Sequence, residues 1–250
     1  MSIQIIKYDA YDAHGGPKIR YKAPDGYWAD PTDRGRYLIG KIEKHVSPQK
    51  YFYSSIPWGS PLILINGILN VKIHGKWIPI TTVNSEWKKL SNSDAIKLVK
   101  EANESFRTDN LNIDFRYVPD KWIFNDFGHI SVKYFKDSNG NGHQDKNEIE
   151  KSDFIHTTPQ DEIETYRAKR NKNVPQINLS QSHGCIHVKP NDIDAMIAKG
   201  YLAKGNVVQV HGYNEKKIPQ FINIKKRISL YEAHFFPGLL KMVIYKAPVK

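Results

Sequence analysis

The stretch Ser182–Val188 reads Ser-His-Gly-Cys-Ile-His-Val and contains the only cysteine of the 250 residues. A lone cysteine forms no disulfide within its own chain, so its thiol serves either as a small buried hydrophobe or as a nucleophile. The neighbours favour the nucleophile, because His183 and His187 flank Cys185 on its two sides. Gly184 lets the backbone turn tightly and leaves its N–H group open to a ligand. We therefore expect the chain to be organised around a reactive turn at Cys185.

These residues resemble the signature of the L,D-transpeptidase (YkuD-type) family, in which Ser/Thr-His-Gly-Cys follows an upstream histidine. In this chain the upstream histidine would be His156, in the Ile-His-Thr-Thr of 155–158. Two weaker matches fall in the right order, Pro31–Tyr37 before the two motifs and Gly205–Val210 after them. The resemblance covers roughly residues 30–212 and is strong only around the two histidine motifs.

The resemblance implies a mainly β fold, with a YkuD-like sandwich or barrel core and a few peripheral helices. The sequence favours the same class, because short β-rich runs are bounded by Gly and Pro. Strands are predicted near the N-terminus and at 36–42, 61–66, 113–117 and 129–135, with a hairpin about His74-Gly75. Apolar residues at helical spacing predict helices at 93–106 and 191–199.

We assign residues 1–213 to one L,D-transpeptidase-like catalytic domain and residues 214–250 to a C-terminal extension packed on that domain. A chain of this length is able to bury one large core. The 25 residues at 157–181 separate the two histidine motifs, and much of this spacer is charged. Two interpretations of the spacer are open, a short helix or lid over the site and a solvated loop.

The resemblance also assigns roles in acyl transfer through a thioester. Cys185 would be the nucleophile and His156 the base, because a thiol needs a partner that takes its proton and later returns it. A nearby backbone carbonyl, that of Thr157, would hold the His156 ring in one orientation. This third group would do what the acid does in a Ser-His-Asp triad.

The remaining residues of the turn would serve the oxyanion and the substrate. Backbone N–H groups of His183, Gly184 and Cys185 would stabilise the tetrahedral oxyanion. Ser182 and His187 would contact the substrate, although the family usually has Arg or Asn in the place of His187. For the His183 side chain three roles are open: positioning substrate, donating a hydrogen bond, or shaping the turn.

The substrate implied by the resemblance is the stem peptide of peptidoglycan. The enzyme would attack the carbonyl of the third residue, typically a diamino acid, and release the terminal D-amino acid. An amine of another stem would then give a 3→3 cross-link, water would give L,D-carboxypeptidase cleavage, and a free D-amino acid would give exchange. Two alternatives are open, a calcium-dependent wall-binding module without catalysis and a wall-peptide amidase or endopeptidase.

A second motif, Asp137–Glu148, matches the twelve-residue calcium-loop pattern at every fixed position. Its side-chain ligands would be Asp137, Asn139, Asn141, Asp145 and Glu148, with His143 contributing its backbone carbonyl. A strand precedes the segment, so the pattern predicts an EF-hand-like loop without the usual helix pair. Calcium would be structural, since acyl transfer through a thiol needs no metal. The alternative is a polar turn that binds nothing.

The net charge of +11 and the pI near 9.4 favour anionic surroundings. Lys and Arg are spread along the chain and no nucleic-acid motif is present, so we expect an anionic cell wall and no nucleic-acid partner. The longest apolar runs, Leu62–Val71 and Phe235–Tyr245, fall far short of the ~20 residues that span a bilayer. We expect action in the periplasm, at the cell envelope or after secretion. The first eight residues do not form a secretory signal, so the export route is open, and delivery as an effector is one route.

Overall fold

A computed structural model describes residues 6–47, 52–105, 117–220, 222 and 230–246. The strands in these ranges are β1 (Ile6–His14), β2 (Tyr21–Lys22), β3 (Trp28–Ala29), β4 (Gly35–Glu43), β5 (Leu62–Ile65), β6 (Ile68–Ile73), β7 (Lys76–Pro79), β8 (Ser131–Phe135), β9 (Ile155–His156), β10 (Ile186–Val188), β11 (Val207–Val210), β12 (Tyr231–Phe236) and β13 (Lys241–Lys246). The helices are α1 (Asn92–Ser105), α2 (Pro159–Arg170) and α3 (Pro190–Ala198). All but the last residue of the predicted strand at 113–117 lies outside the described residues, as does Phe106, the last residue of the first predicted helix.

The protein is mainly β, and eight strands close into a barrel in the order β1-β10-β9-β8-β4-β11-β12-β13. Two neighbouring pairs are parallel, β9 with β10 and β11 with β12, and the other pairs are antiparallel. Closure leaves the barrel strands without free edges. Apolar side chains such as Val188, Val208, Phe235 and Ile244 are fully buried. The predicted mainly β class is confirmed.

The chain folds into two compact units that alternate along the sequence. The first comprises Met1–Glu43, Ser131–His156 and Leu179–Lys250, and it contains the barrel. The second comprises Lys44–Ile130 and Thr157–Asn178. The predicted boundary at residue 213 does not coincide with this division. The strands β12 and β13 lie beyond that boundary, yet they are integral members of the barrel.

The second unit has its own hydrophobic core and its own sheet. The sheet order is β5-β6-β7, with β6 and β7 joined by the predicted hairpin at His74-Gly75. The core contains buried aromatic side chains, among them Trp87, Trp122 and Phe124. The indole N–H of Trp122 donates to the Tyr53 carbonyl at 3.1 Å, so this buried polar group is satisfied.

The first part of the charged spacer between the histidine motifs forms the short helix α2, and the residues from 171 to 181 have no regular secondary structure, so each open interpretation describes part of the spacer. Thr158 caps its N-terminus, because the Thr158 hydroxyl accepts a hydrogen bond from the Asp161 N–H at 3.2 Å. Acidic residues lie in the first turn and basic residues in the last, which complements the helix dipole. None of the helices in the described part of the chain is long and apolar enough to span a bilayer.

Candidate active site

The two histidine motifs lie on neighbouring strands of the barrel. Strand β9 pairs in parallel with β10, in a register that sets His156 opposite His187 and Ile155 opposite Ile186. The rings of His156 and His187 are edge to face, with centroids 4.8 Å apart, and both side chains are buried. The sheet thus joins the histidine predicted as the base to the strand that begins directly after Cys185.

Gly184 has a backbone conformation that only glycine adopts without strain, with φ at +143°. A side chain at this position would also lie 2.8 Å from Oδ1 of Asp153. The Gly184 N–H group, expected to be open to a ligand, instead donates to Ser182 Oγ at 3.0 Å. Ser182 in turn donates from its hydroxyl to the Cys185 carbonyl at 2.5 Å. The buried Ser182, predicted to contact substrate, therefore fixes the shape of the turn.

Two segments of the first unit support this turn from their backbone groups. The Ser182 N–H donates to the Gly15 carbonyl at 3.0 Å, and the Asp30 N–H donates to the His183 carbonyl at 3.1 Å. Gly16 lies so close that a side chain there would approach the Gly184 Cα to 3.1 Å. The turn is consequently held from two sides before any substrate arrives.

Tyr213 links the two supporting segments to each other. Its hydroxyl donates to the Gly16 carbonyl and accepts from the Thr32 N–H, each at 3.0 Å. Thr32 Oγ1 accepts from the Gly16 N–H, also at 3.0 Å. Sequence reasoning missed this tyrosine, because nothing in the chain pattern near residue 213 points to a turn more than twenty residues earlier.

The thiol of Cys185 is half-buried, and its surroundings favour the protonated form. Burial, together with the charge of Asp153, raises the pKa of the Cys185 thiol to about 12. The Sγ atom lies 4.0 Å from the Ser152 carbonyl oxygen, the geometry of a weak S–H donor. Asp153, which the sequence analysis did not select, is itself partly buried, and burial raises the pKa of its carboxyl group.

His187 is buried and neutral, which differs from the expected contact with substrate. Its Nδ1–H group donates to the Ser180 carbonyl at 2.9 Å. Burial lowers the pKa of His187 to about 4. A neutral imidazole offers no charge to a substrate carboxylate, so this side chain supports the ring of His156 instead.

His183 is the exposed histidine of the turn. Its Nε2 lies 3.1 Å from Oδ2 of Asp25, and the ring of Tyr27 packs edge-on at 6.5 Å between centroids. Both partners belong to the hairpin between β2 and β3, which is part of the same unit. Of the roles left open for this side chain, its exposed position beside a carboxylate fits positioning of a ligand.

Thr157 follows His156 in the chain and belongs to the second unit. Its hydroxyl donates to Oε1 of Glu162. The same carboxylate oxygen accepts the backbone N–H of His129 at 3.0 Å. The expected contact between the Thr157 carbonyl and the His156 ring stays a prediction.

The predicted calcium loop closes on itself through backbone and side-chain hydrogen bonds. Asp137 accepts from the N–H groups of Gly140, at 2.6 Å, and Gly142, at 3.0 Å. The side-chain amides of Asn139 and Asn141 both reach Oδ2 of Asp145, at 2.7 and 2.9 Å. Three of the predicted side-chain ligands, Asn139, Asn141 and Asp145, are thus in direct contact.

Glu148, the predicted twelfth ligand, also folds back onto the loop. Its Oε1 accepts from the Ser138 N–H at 2.6 Å and the Ser138 hydroxyl at 2.7 Å, and its Oε2 accepts from the Asp145 N–H at 3.1 Å. These hydrogen bonds, led by that of the Ser138 hydroxyl, lower the pKa of the Glu148 carboxyl group. The carboxylate is ionised, as a calcium ligand must be. His143 donates its N–H to Asn141 Oδ1 at 2.8 Å, and the role expected for its carbonyl stays a prediction.

Comparison with family models, curated proteins and solved structures finds no match for this chain. A functional assignment therefore rests on the residues of the turn, the two strands and the loop.

Proposed function

We propose that this protein is a cysteine acyltransferase of the L,D-transpeptidase (YkuD) type that acts on peptidoglycan stem peptides through a thioester. One observation carries the proposal: β9 and β10 are parallel neighbours, so the His156 motif lies beside the strand that begins after Cys185. The motifs are 29 positions apart, and a chance resemblance would not require them to adjoin. The closed barrel is compatible with a YkuD-like core.

In the proposed mechanism the resting enzyme holds Cys185 as a neutral thiol. As Sγ attacks the carbonyl carbon of the third stem residue, His156 accepts the thiol proton. This sequence suits a thiol whose pKa is about 12, because the proton leaves during the attack and not before it. The imidazolium then returns the proton to the departing D-amino acid as its C–N bond breaks. A thioester on Cys185 remains.

The second half-reaction releases the acyl group. An acceptor amine, a free D-amino acid or water attacks the thioester carbonyl, and His156 takes a proton from the attacking group. Cleavage of the C–S bond then restores the thiol. Since Gly184 donates its N–H to Ser182, the oxyanion donors in this proposal are the N–H groups of His183 and Cys185.

Calcium in this proposal is a structural ion of the Asp137–Glu148 loop. The donor set fits, because carboxylate and amide oxygens are the ligands that Ca²⁺ prefers and Glu148 is ionised. Bound calcium would order the segment that leads into β9. No chemical step requires it.

A second candidate, a calcium-dependent wall-binding module without catalysis, is favoured by one observation, the raised pKa of the Cys185 thiol. The two candidates predict different masses for muropeptides after incubation with the protein. Purified muropeptides are incubated with the wild-type protein and with Cys185→Ala, and the products are followed by mass spectrometry. Loss of a terminal D-residue or formation of dimers, absent in the variant, supports the enzyme. Unchanged masses with retained binding to sedimented cell wall support the module.

The proposed location is the periplasm, the cell envelope or the exterior of the cell, where this substrate is found. Wall binding also suits the basic composition, since the net charge of +11 attracts an anionic polymer.

A further inference from the structure

The sheet β5-β6-β7 exposes an apolar face. Side chains alternate between the two faces of a strand. Because Leu69 and Val71 are buried on one face of the sheet, the residues on the other face point away from the core of the unit. Three isoleucines on this outward side are more than 40% exposed: Ile63 at 43%, Ile65 at 41% and Ile68 at 42%. Ile65 pairs directly with Ile68 across the two strands. Clustered exposed aliphatic side chains of this kind mark an interaction surface.

The hairpin between β5 and β6 ends in a tip that is exposed on both faces. Leu64 and Ile65 point to opposite sides of the strand, and both are more than 40% exposed. The tip is Asn66-Gly67, with φ of 50° and 76°, which are the left-handed conformations of a two-residue type I′ turn. The hairpin thus exposes aliphatic side chains on both of its faces next to the turn.

Asn92, at the start of α1, holds this hairpin in place. Its Oδ1 accepts from the Leu69 N–H at 3.0 Å, and its Nδ2 donates to the Gly67 carbonyl at 2.5 Å. The exposed side chains are therefore presented by an ordered element, and binding would cost little conformational entropy.

The charged side chains of the three strands themselves are both lysines. Residues 44–85 contain four lysines and neither aspartate nor glutamate. Two of these lysines, Lys72 and Lys76, belong to the sheet, and Lys72 pairs with the exposed Trp77 in the strand register. The Lys72 Nζ atom lies 5.8 Å from the centroid of the Trp77 ring. Aliphatic side chains beside Trp and Lys are the combination found where a protein meets the headgroup region of a bilayer.

We propose that this sheet binds the surface of an anionic lipid bilayer. Leu64, Ile65 and Ile68 enter the headgroup–acyl boundary, while Lys72, on the same face as Ile65 and Ile68, lies at the level of the lipid phosphates. Lys76 pairs with Ile73 on the other face, at the far end of the sheet, and adds to the positive charge. A protein partner is the less favoured occupant, because the exposed aliphatic side chains of the strands are accompanied by Trp77 and by lysines, with no acidic residue in the three strands. The proposal does not depend on the chemistry at Cys185.

The test is co-sedimentation of the full-length chain with vesicles of phosphatidylcholine alone and of phosphatidylcholine with 30% phosphatidylglycerol. The variant Ile65→Ser/Ile68→Ser removes the apolar tip, and Lys72→Gln/Lys76→Gln removes the charge. Matched controls are Ile149→Ser, at an isoleucine that is 82% exposed elsewhere, and Lys216→Gln/Lys217→Gln. Melting curves establish that each variant is folded.

We expect wild-type protein to bind the anionic vesicles, to lose affinity with added salt, and to bind the neutral vesicles at least tenfold more weakly. Each sheet variant should reduce binding by tenfold or more, and the controls should not. Brominated lipids should quench wild-type tryptophan fluorescence, with most of the quenching lost in Trp77→Phe. The proposal would be overturned if the wild-type protein did not bind vesicles, or if the Ile65→Ser/Ile68→Ser variant bound them as well as wild-type protein does. Binding only to purified cell wall or to another protein would also overturn it.

Discussion

His156 and His187 face each other across the parallel strands β9 and β10, with ring centroids 4.8 Å apart and ring planes at 77°. Burial keeps His187 neutral, since its pKa is lowered to about 4. A neutral neighbour permits His156 to accept a proton without repulsion from a second positive ring. This relationship gives His187 a supporting role in the proposed reaction, and the lowered pKa of His187 makes the folded protein sensitive to acid.

The first prediction concerns stability in mild acid. The pKa of His187 is about 4 in the folded protein and ~6.5 in the unfolded chain, so the unfolded chain binds the proton more readily between these values. Its contribution to stability is complete above pH 6.5 and is lost as the pH falls towards 4, by about 3 kcal/mol. We expect His187→Asn to lose correspondingly less stability over this range in urea unfolding.

The control for this experiment is His74→Asn, at an exposed histidine of the β6–β7 hairpin. His74 has φ at +48°, a conformation that asparagine also adopts. The control should follow the wild-type pH dependence. Equal losses in His187→Asn and wild-type protein between pH 7 and pH 4 would show that His187 is not the group that titrates.

The second prediction concerns thiol reactivity. With the pKa of Cys185 raised to about 12, iodoacetamide should alkylate the protein slowly at pH 7.5 and faster as the pH rises above 9. Asp153→Asn removes one cause of the raised pKa and should therefore accelerate alkylation. The acceleration should be only several-fold, because the burial of the thiol, which is the larger cause, remains. Intact-protein mass gives the rate. Glu86→Gln, in the other unit, controls for net charge, and a rate unchanged in Asp153→Asn would refute the influence of this carboxylate.

The third prediction concerns the turn itself. Gly184→Ala should destabilise the protein by about 1–3 kcal/mol, since alanine must adopt a positive φ and its methyl group meets Asp153. Gly200→Ala is the matched control, because Gly200 has φ at +72° and an added methyl group there contacts nothing within 4 Å. In thermal unfolding, the melting temperature of Gly184→Ala should be well below that of Gly200→Ala. The reverse order would mean that the turn is not tightly held.

The fourth prediction concerns calcium. An ion that binds only the folded loop should raise the melting temperature in proportion to the logarithm of its concentration, with an affinity of ~10⁻⁴–10⁻³ M. Glu148→Gln removes the charge of the twelfth ligand and should weaken the effect, whereas Glu86→Gln should not. Mg²⁺ serves as the control ion. If calorimetry detected no heat of binding on addition of Ca²⁺ and the melting curve did not change, the loop would be a polar turn that does not bind calcium.

The elements with a strong local signal could be predicted from the sequence. The amphipathic spacing at 93–106 and the Pro-Asn-Asp start near 190 correspond to α1 and α3, and the His74-Gly75 turn joins β6 and β7. The boundary at residue 213 failed for a physical reason. Barrel closure pairs β13 with β1, and this contact between the two ends of the chain leaves no mark in local composition.

The sequence suggested which residues belong to the candidate site, but it did not predict their surroundings. Cys185 and His187 were selected because they lie close to Gly184 and His183, and His156 because its motif resembles the upstream motif of the family; the roles of all three stay predictions. The raised pKa of the thiol could not be foreseen, since it depends on burial and on Asp153, whose side chain reaches the turn only in the folded barrel. The occupied N–H of Gly184 likewise depends on the rotamer of Ser182.

The most direct measurement is the intact mass of the protein after brief reaction with a tetrapeptide stem and quenching in acid. Wild-type protein should gain the mass of the acyl tripeptide on Cys185, and Cys185→Ala should gain nothing while remaining folded. His156→Ala should form the adduct ~10²–10⁴-fold more slowly, since acid–base help is worth that factor. Two results would contradict a thioester mechanism at Cys185. One is turnover of the stem peptide by Cys185→Ala at the wild-type rate. The other is that, with wild-type protein, neither the mass of the protein nor that of the peptide changes.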